Sequence, residues 1–256
     1  MTKKFAVSGQ HYLFDVQSFA AVVLSLGGDA YEYALRDRTT KRVIEDVANG
    51  ESEIGVLVET TRSKDGLEEA FAEAGVEFVE LIESTPRVAL PKSHPFVNAE
   101  SLTLDQLEDF PYIYFEQEEG APAYFAEEAL ADEARHKSIA CTDRASLSEL
   151  IVALNGYTVT SGILVGISDG SSLATVRLDT DAAPGLHRHE GCGAFRGRQE
   201  VRREARGQSQ EVREVLGSRF EIGSCCGRGG PGGSPLLAVD RRCGFCLSPE
   251  EAKDST

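Results

Sequence analysis

The sequence predicts an α/β protein with two lobes, and three observations support this. From Phe5 to Ile82, short apolar runs alternate with helical patterns of apolar residues, as in a sheet covered by helices. The same alternation resumes at Tyr112. Between the two parts, the segment Leu81–Phe96 (LIESTPRVALPKSHPF) joins an apolar run to a Pro-Lys-Ser-His-Pro turn. We expect the chain to cross from one lobe to the other near Ser84–Pro86.

The first lobe is predicted from regular changes of hydrophobic period. Ile54–Val58 is almost continuously apolar, which is typical of a parallel strand covered on both faces. The pairs Gly27-Gly28 and Asn49-Gly50 are expected to end the helices that precede them. The expected elements are strand Phe5–Ser8, helix Phe14–Leu26, strand Tyr31–Leu35, a helix capped by Thr39-Thr40 and running to Val47, strand Ile54–Val58, helix Asp65–Ala74 and strand Val76–Ile82.

The second lobe is predicted on the same grounds. Its expected elements are strand Tyr112–Phe115, helix Ala121–Ala131, strand Ser138–Cys141, helix Ser146–Asn155 and strand Thr158–Val165. Leu173–Leu178 is then expected to return to the first lobe. The predicted division is residues 1–84 with 166–181 as the first lobe and residues 85–165 as the second. Strand ends and helix starts should face the cleft between them.

Composition excludes several classes of function. The net charge of −16 argues against a nucleic-acid-binding surface, which needs clustered lysine and arginine. There is no run of eighteen apolar residues for a membrane helix. The apolar stretch after Lys3-Lys4 ends at Ser8, too soon for a signal peptide, so the cytoplasm is the expected compartment.

Residues 182–256 form an atypical Gly-, Arg- and Cys-rich tail. Through Asp181 there are 14 Lys and Arg against 32 Asp and Glu, whereas the tail holds 12 basic and 10 acidic residues and five of the six cysteines. This change is what a shifted reading frame of a GC-rich gene would produce. We expect the tail to be disordered because it has too few apolar residues for a core. A genuine metal-binding appendage is the alternative.

No catalytic motif is recognisable in the chain. It contains no phosphate loop, zincin motif, nucleophile elbow or dinucleotide fingerprint. Cys141, in an apolar strand, is expected to be a buried and inert thiol. Cys243 and Cys246 have C-x-x-C spacing, but the other tail ligands fit no standard zinc site. These other candidates are His187, His189, Cys192, Cys225 and Cys226. We therefore expect no metal, no cofactor and no enzyme.

The order of the motifs resembles the effector-binding domain of LysR-type transcriptional regulators. The crossover strand with its "HP" turn at His94-Pro95 is one such motif. A second is Val47–Val58 (VANGESEIGVLV), with Glu53 where the family usually has Asp. A third is the helix, glycine turn and apolar strand of Asp143–Leu164. The resemblance spans Lys4 to Asp181 and implies a two-lobed periplasmic-binding-protein-like (type 2) fold with two crossover strands. The family's winged helix-turn-helix and the closing strand and helix of its first lobe are not recognisable here.

The resemblance also implies where an effector binds. Four turns facing the cleft would supply the contacts: Ser8, Gln10 and His11; Glu59 and Thr60; Phe115 and Glu116; Thr142 and Asp143. Free N–H groups at helix starts favour an anion or a polar group there. The bland alternatives are that Ser8 and Thr142 only cap helices, that His11 only packs, and that the acidic loop at Glu116 is only solvated. An acidic rim opposes an anionic effector, so the charge of the ligand stays open.

The function implied is that of a small-molecule sensor that regulates transcription. A small polar effector would bind between the lobes and shift the population of lobe or dimer arrangements. A homodimer is implied, with the apolar helix Phe14–Leu26 as a face buried on both sides. DNA would be bound only through a helix-turn-helix module outside this chain. The alternatives are a solute-binding protein or a lyase, such as one like prephenate dehydratase, on the same architecture.

Overall fold

The computed structural model of the chain describes residues 3–26, 28–162, 172–179 and 190–197. Within them, the first lobe is built on a sheet of five strands in the order β2-β1-β3-β11-β4. Its elements are β1 (Lys3–Gly9), α1 (Leu13–Leu26), β2 (Tyr31–Asp37), α2 (Thr40–Ala48), β3 (Ile54–Glu59), α3 (Lys64–Ala74) and β4 (Val76–Ser84). Strand β1 pairs in parallel with β2 and β3. The alternation predicted for this part of the chain is therefore confirmed.

The second lobe begins after Thr85-Pro86. Its elements are β5 (Arg87–Pro91), β6 (Ser101–Leu102), β7 (Tyr112–Phe115), β8 (Ser138–Cys141), α4 (Arg144–Leu154), β9 (Thr158–Thr160) and β10 (Leu173–Leu178). In the described part of the chain, β6-β10-β5-β9 form one sheet and β7-β8 a parallel pair. A single bridge between Tyr112 and Tyr157 links β7 to this sheet.

Two expectations for the carboxyl-terminal half are wrong. Leu173–Leu178 is expected in the first lobe, but as β10 it pairs antiparallel with β5 and parallel with β6 in the second. The strand that returns to the first lobe is β11 (Glu190–Gly197), which pairs antiparallel with both β3 and β4. It lies inside the tail expected to be disordered. Strand pairing uses backbone groups, so a Gly-rich segment can form it without the apolar alternation that prediction relies on.

The helix expected at Ala121–Ala131 is also absent from this part of the chain. The segment contains a 3₁₀ turn at Ala123–Phe125 followed by turns, and Leu130 has a left-handed φ of 59°. Alanine and glutamate favour a helix in isolation. Here tertiary contacts override that preference, because Phe125, Glu127 and Glu128 are all buried against other parts of the molecule.

Each lobe has its own apolar core. In the first, Val43, Ile44 and Val47 of α2 pack on β3 and α3, in agreement with their helical spacing. In the second, the inner faces of β5, β9 and β10 pack with Leu107 and Tyr157. Phe125 belongs to the core of the first lobe, although the chain around it belongs to the second. The segment around Phe125 therefore holds the two lobes together.

Several expectations fall outside the described residues. They are the end of the strand predicted at Thr158–Val165, and the tail residues His187, His189, Cys225, Cys226, Cys243 and Cys246.

Candidate functional site: the cleft between the lobes

The turn after β1 lies at the base of the cleft. Gln10 is buried, its Oε1 accepts the Val58 N–H at 2.8 Å, and its Nε2 donates to Thr40 Oγ1 at 2.6 Å. Ser8 is also buried, and its hydroxyl donates to Asp46 at 2.5 Å and lies 2.8 Å from the Ser52 hydroxyl. These two side chains fix β1, α2 and β3 relative to one another. In this structure their polar atoms are occupied by the protein itself.

His11 faces the second lobe and meets Glu127. The backbone N–H of His11 donates to Glu127 Oε2 at 2.9 Å, and the ring atom His11 Nδ1 lies 2.9 Å from Glu127 Oε1. The imidazole stacks on Phe115, with ring centroids 4.3 Å apart. Burial lowers the pKa of His11, but the hydrogen bond and charge of Glu127, together with Asp37, raise it above its ordinary value overall. His11 is therefore held as a proton donor to the second lobe.

A second set of contacts joins the start of α2 to the loop after β7. The Thr40 N–H donates to Gln117 Oε1 at 3.1 Å, and the Thr40 hydroxyl donates to the Phe125 carbonyl at 2.6 Å. The Thr39 hydroxyl donates to Glu118. Thr39 occupies the N-cap position of α2, but its hydroxyl makes no capping bond. The capping role predicted for it is therefore wrong, because the hydroxyl is used between the lobes.

Two arginine side chains also make contacts between the lobes. Arg144, at the start of α4, donates to the Tyr12 carbonyl at 2.9 Å and to Asp37 Oδ2 at 2.7 Å. Arg62 pairs with Asp132 at 2.8 Å and with Glu133 at 2.9 Å. Every one of these contacts crosses from one lobe to the other.

Two carboxyl groups at the cleft are buried without an ion-pair partner among the described residues. Both carboxyl oxygens of Asp15, in the first turn of α1, lack a hydrogen-bond partner there, as does Glu128 Oε2. Burial raises the pKa of both groups well above the ordinary values, and the charge of Glu127 adds to the rise for each. Gly9 makes room for Asp15, because a Cβ atom at Gly9 would lie 2.1 Å from Asp15 Oδ2.

The other predicted site residues divide into buried and exposed groups. Glu59 and Thr60 are buried at the end of β3, and burial raises the pKa of Glu59. The Thr60 N–H donates to Ser63 Oγ at 2.8 Å, so this turn is also internally bonded. Phe115 is buried under His11.

Glu116, Thr142 and Asp143 are exposed at the ends of β7 and β8. Asp143 caps α4 by accepting the Ser146 N–H at 2.9 Å. Hydrogen bonds from the Ser146 side chain and then from its backbone N–H lower the pKa of Asp143. Thr142 makes no capping contact of this kind in the structure, so the alternative that it only caps the helix does not hold; the cap is its neighbour Asp143. The side chains of Thr142 and Glu116 are accessible to a small molecule.

Sequence analysis missed Glu127, Gln117, Thr40 and Arg144, which make most of the polar contacts across the cleft. Glu127 lies in the predicted helix Ala121–Ala131, in an acid-rich stretch whose charges indicate a solvated surface. Thr40 carried a usable signal, because it stands at the start of a predicted helix that faces the cleft, and so did Arg144, two residues before the predicted helix Ser146–Asn155. Glu127 carried none.

A separate pocket of about 280 Å³ lies in the second lobe. It is lined by Thr103, Leu104, Asp105, Glu108, Phe110, Glu133, Ala134, Arg135, His136, Lys137, Tyr157 and Asp179. None of the predicted site residues lines it. Its charges are largely matched within the protein: His136 lies 2.7 Å from Glu108, and Lys137 donates to the Asp109 carbonyl at 2.7 Å. We therefore place the candidate site in the cleft.

Cys141 has the properties of a structural thiol. It is buried at the end of β8, and burial, followed by the charges of Glu128 and Asp143, raises its pKa to about 11. The described residues hold no group of three or more His, Cys, Asp or Glu side chains arranged to bind a metal ion. None of the helices described is long and apolar enough to span a membrane.

The family of this chain is given by a match to the LysR substrate binding domain at residues 31–192. The chain belongs to this family. The match begins later than the resemblance drawn from Lys4 and ends in β11, beyond Asp181. A comparison with proteins of curated function gives no match. The domain is thus a ligand-sensing regulatory domain of transcription regulators, and the family predicted from the sequence is confirmed.

Solved structures agree with the family and show the fold. The oxidised form of OxyR is 14% identical, with a TM-score of 0.56 over 86% of this chain and 97% of that one. The OxyR C206 mutant of Corynebacterium glutamicum is 17% identical, with a TM-score of 0.59 over 86% and 65%. HinK, a LysR family regulator from Pseudomonas aeruginosa, is 17% identical, with a TM-score of 0.58 over 85% and 72%. The predicted two-lobed, periplasmic-binding-protein-like α/β fold is confirmed.

Proposed function

We propose that this LysR substrate binding domain senses a small polar metabolite held in the cleft between its lobes. One observation favours the cleft over the pocket of the second lobe. Polar groups of both lobes converge in the cleft, around His11, Gln117 and Glu127. The exposed Thr142 and Glu116 lie at strand ends of the second lobe beside this centre. The proposed contacts are Ser8, Gln10, His11, Glu59, Thr60, Phe115, Glu116, Thr142 and Asp143.

The signal would be a change in the population of lobe arrangements. The ion pairs and hydrogen bonds across the cleft stabilise the lobe arrangement of this structure. A ligand that bonds to groups such as His11 replaces some of these contacts, and it favours whichever arrangement binds it better. The shift is then passed to attached DNA-binding modules of a larger regulator. No catalytic step is needed, and we propose that the chain is not an enzyme.

The test is a screen for metabolites that raise the thermal midpoint of the purified chain, followed by calorimetry of the ligand found. Thr142→Ala should weaken binding about 3- to 10-fold, the cost of one hydrogen bond. Ser138→Ala is the matched control, because Ser138 is an exposed hydroxyl at the opposite end of the same strand, β8. Equal affinities of both variants and the original chain would place the ligand elsewhere.

We further propose that the chain acts as a homodimer in the cytoplasm, where a regulator meets its DNA. Helix α1 supports this because it leaves apolar side chains on the surface: Leu13 is 50% exposed and Leu24 87%. Val152 and Leu154 of α4 are also exposed. A second copy would cover these residues in a symmetric contact. Leu24→Glu should shift sedimentation velocity from dimer towards monomer, whereas Glu32→Lys on exposed β2 should not.

A further inference from the structure

The cleft already holds a carboxylate group, and it belongs to the chain itself. Glu127 is only 1% exposed although it lies in an irregular segment. Its Oε2 accepts the His11 N–H at 2.9 Å, and its Oε1 lies 2.9 Å from His11 Nδ1 and 3.1 Å from Gln117 Nε2. His11 Nδ1 also lies 3.2 Å from Oε2. Because a carboxylate only accepts hydrogen bonds, all of these nitrogens present hydrogens to it.

These donors converge on one point from both lobes. His11 follows β1 in the first lobe, and Gln117 follows β7 in the second. The ring of Phe115 stacks on the imidazole and holds it in place. Donors fixed in this way, and shielded from water, form a site whose shape and polarity suit a carboxylate. Arg144 adds a positive charge close enough to affect the pKa of His11.

The segment that supplies Glu127 is docked as a ligand would be, by an apolar anchor and a few polar contacts. Phe125 inserts between α2 and α3, and the Tyr12 hydroxyl donates to the Glu127 carbonyl at 2.5 Å. Tyr124 lies flat on α3, where a Cβ atom at Gly66 would come within 2.5 Å of its ring. Among the described residues of this segment there is no regular helix to hold it otherwise.

We propose that Glu127 is an internal occupant of the effector site, and that the effector is a small carboxylic acid whose carboxylate replaces that of Glu127 on His11 and Gln117. This inference rests on the proposed function, since it takes the cleft to be the effector site. The exchange of one carboxylate for another leaves the charge and the hydrogen bonds of the donors satisfied. A cationic or purely donating ligand would leave them without an acceptor. The displaced Glu127 would release the 121–130 segment from the first lobe, which couples binding to the lobe arrangement.

The experiment fills the site with acetate. Glu127→Ala removes the side chain beyond Cβ, and acetate supplies a carboxylate and one carbon of similar shape. At five to ten times its dissociation constant, acetate should raise the thermal midpoint of E127A by about 2–5 °C. Sodium chloride at the same ionic strength, and neutral acetamide, should not reproduce the rise. Glu119→Ala, which removes an exposed acid of the same loop, should respond to acetate no more than the original chain does.

A second variant covers the case in which E127A does not fold. Glu127→Gln keeps the side-chain volume and one accepting oxygen, but it turns an NH₂ group towards His11 Nδ1 or Gln117 Nε2. The segment is then held less firmly, and the response to acetate should lie between those of E127A and the original chain. Equal responses of E127Q and the original chain, or of E127A and E119A, would overturn the proposal. So would equal effects of acetamide and acetate.

The two proposals can fail separately. A metabolite that binds between the lobes with the same affinity in E127A and the original chain would overturn the internal occupant and leave the sensing function in place. Acetate binding to E127A, together with an effector that produces no change in solution scattering, would support the internal occupant and refute the proposed lobe mechanism. Tighter binding of monocarboxylates by E127A, with a change in scattering, would support both.

Discussion

Replacing Glu128 by glutamine should flatten the dependence of the chain's stability on pH. Glu128 is buried at the cleft, its Oε1 accepts the Phe115 N–H at 2.8 Å, and its Oε2 has no partner among the described residues. Burial first, and then the charge of Glu127, raise its pKa well above the ordinary value. In the unfolded chain the same carboxyl ionises at its ordinary pKa of about 4.3.

The sign of the effect follows from counting protons. Between the unfolded and the folded pKa, the folded chain holds a proton that the unfolded chain has lost. The contribution of Glu128 is therefore fully present below pH about 4.3 and is lost as pH rises towards the folded pKa. Over that window, the free energy of unfolding falls by up to about 1.4 kcal/mol per pH unit for this one group. The glutamine side chain of E128Q has no proton to lose, and its amide oxygen can still accept the Phe115 N–H.

Urea unfolding of both proteins between roughly pH 5 and 8 measures the difference. The advantage of E128Q over the original chain should grow as pH rises, with near-equal stabilities at the acidic end. Glu116→Gln is the control, because Glu116 is exposed and adjacent to Phe115; it should keep the original slope. Parallel pH profiles for E128Q and the original chain would refute the assignment of a buried carboxyl with a raised pKa at this position.

Three further outcomes test the packing of the lobes and the state of the thiol. Phe125→Ala should lower the free energy of unfolding by about 3 kcal/mol. The control Leu24→Ala, at a mostly exposed position, should change it by less than about 0.5 kcal/mol. Similar losses for the two variants in urea titrations would show that Phe125 does not anchor the segment to the first lobe. Arg144→Ala removes two hydrogen bonds across the cleft and should lower the free energy of unfolding by about 1–2 kcal/mol. The control Arg42→Ala, on the surface of α2, should lower it by less than about 0.5 kcal/mol. A larger loss for Arg42→Ala than for Arg144→Ala would contradict the role of Arg144 in joining the lobes. Alkylation of Cys141, followed by mass spectrometry of its peptide, should be slow in the native chain and fast in urea, and fast labelling of native protein would contradict its burial.

Much of the fold was predictable because local periodicity and packing agree in it. The spacing of Val43, Ile44 and Val47 marks the buried face of α2, and the apolar run Ile54–Val58 marks the central strand β3. Both patterns reflect burial by neighbouring elements of the same lobe. The cysteine expected to be a packed thiol, Cys141, is buried for the same reason.

The contacts across the cleft could not be predicted in the same way. Glu127 and His11 are 116 residues apart, and neither stands in a local pattern that reveals the other. The helix expected at Ala121–Ala131 does not form, because burial of Phe125 in the core of the first lobe stabilises the chain more than a short isolated helix would. The Ser8 hydroxyl could contact a ligand by its chemistry, but in the structure it is already hydrogen-bonded to Asp46 and Ser52.

The position of β11 sets an order for folding during synthesis. This strand lies between β3 and β4 in the middle of the first sheet, yet it is the last described element to leave the ribosome. The strands of the second sheet are all synthesised by Leu178. At about 5–20 residues per second, the amino-terminal lobe waits roughly one to four seconds longer for this inner strand. The lobe that is translated first is therefore completed last, and until then the edges of β3 and β4 are open to chaperones or to neighbouring nascent chains.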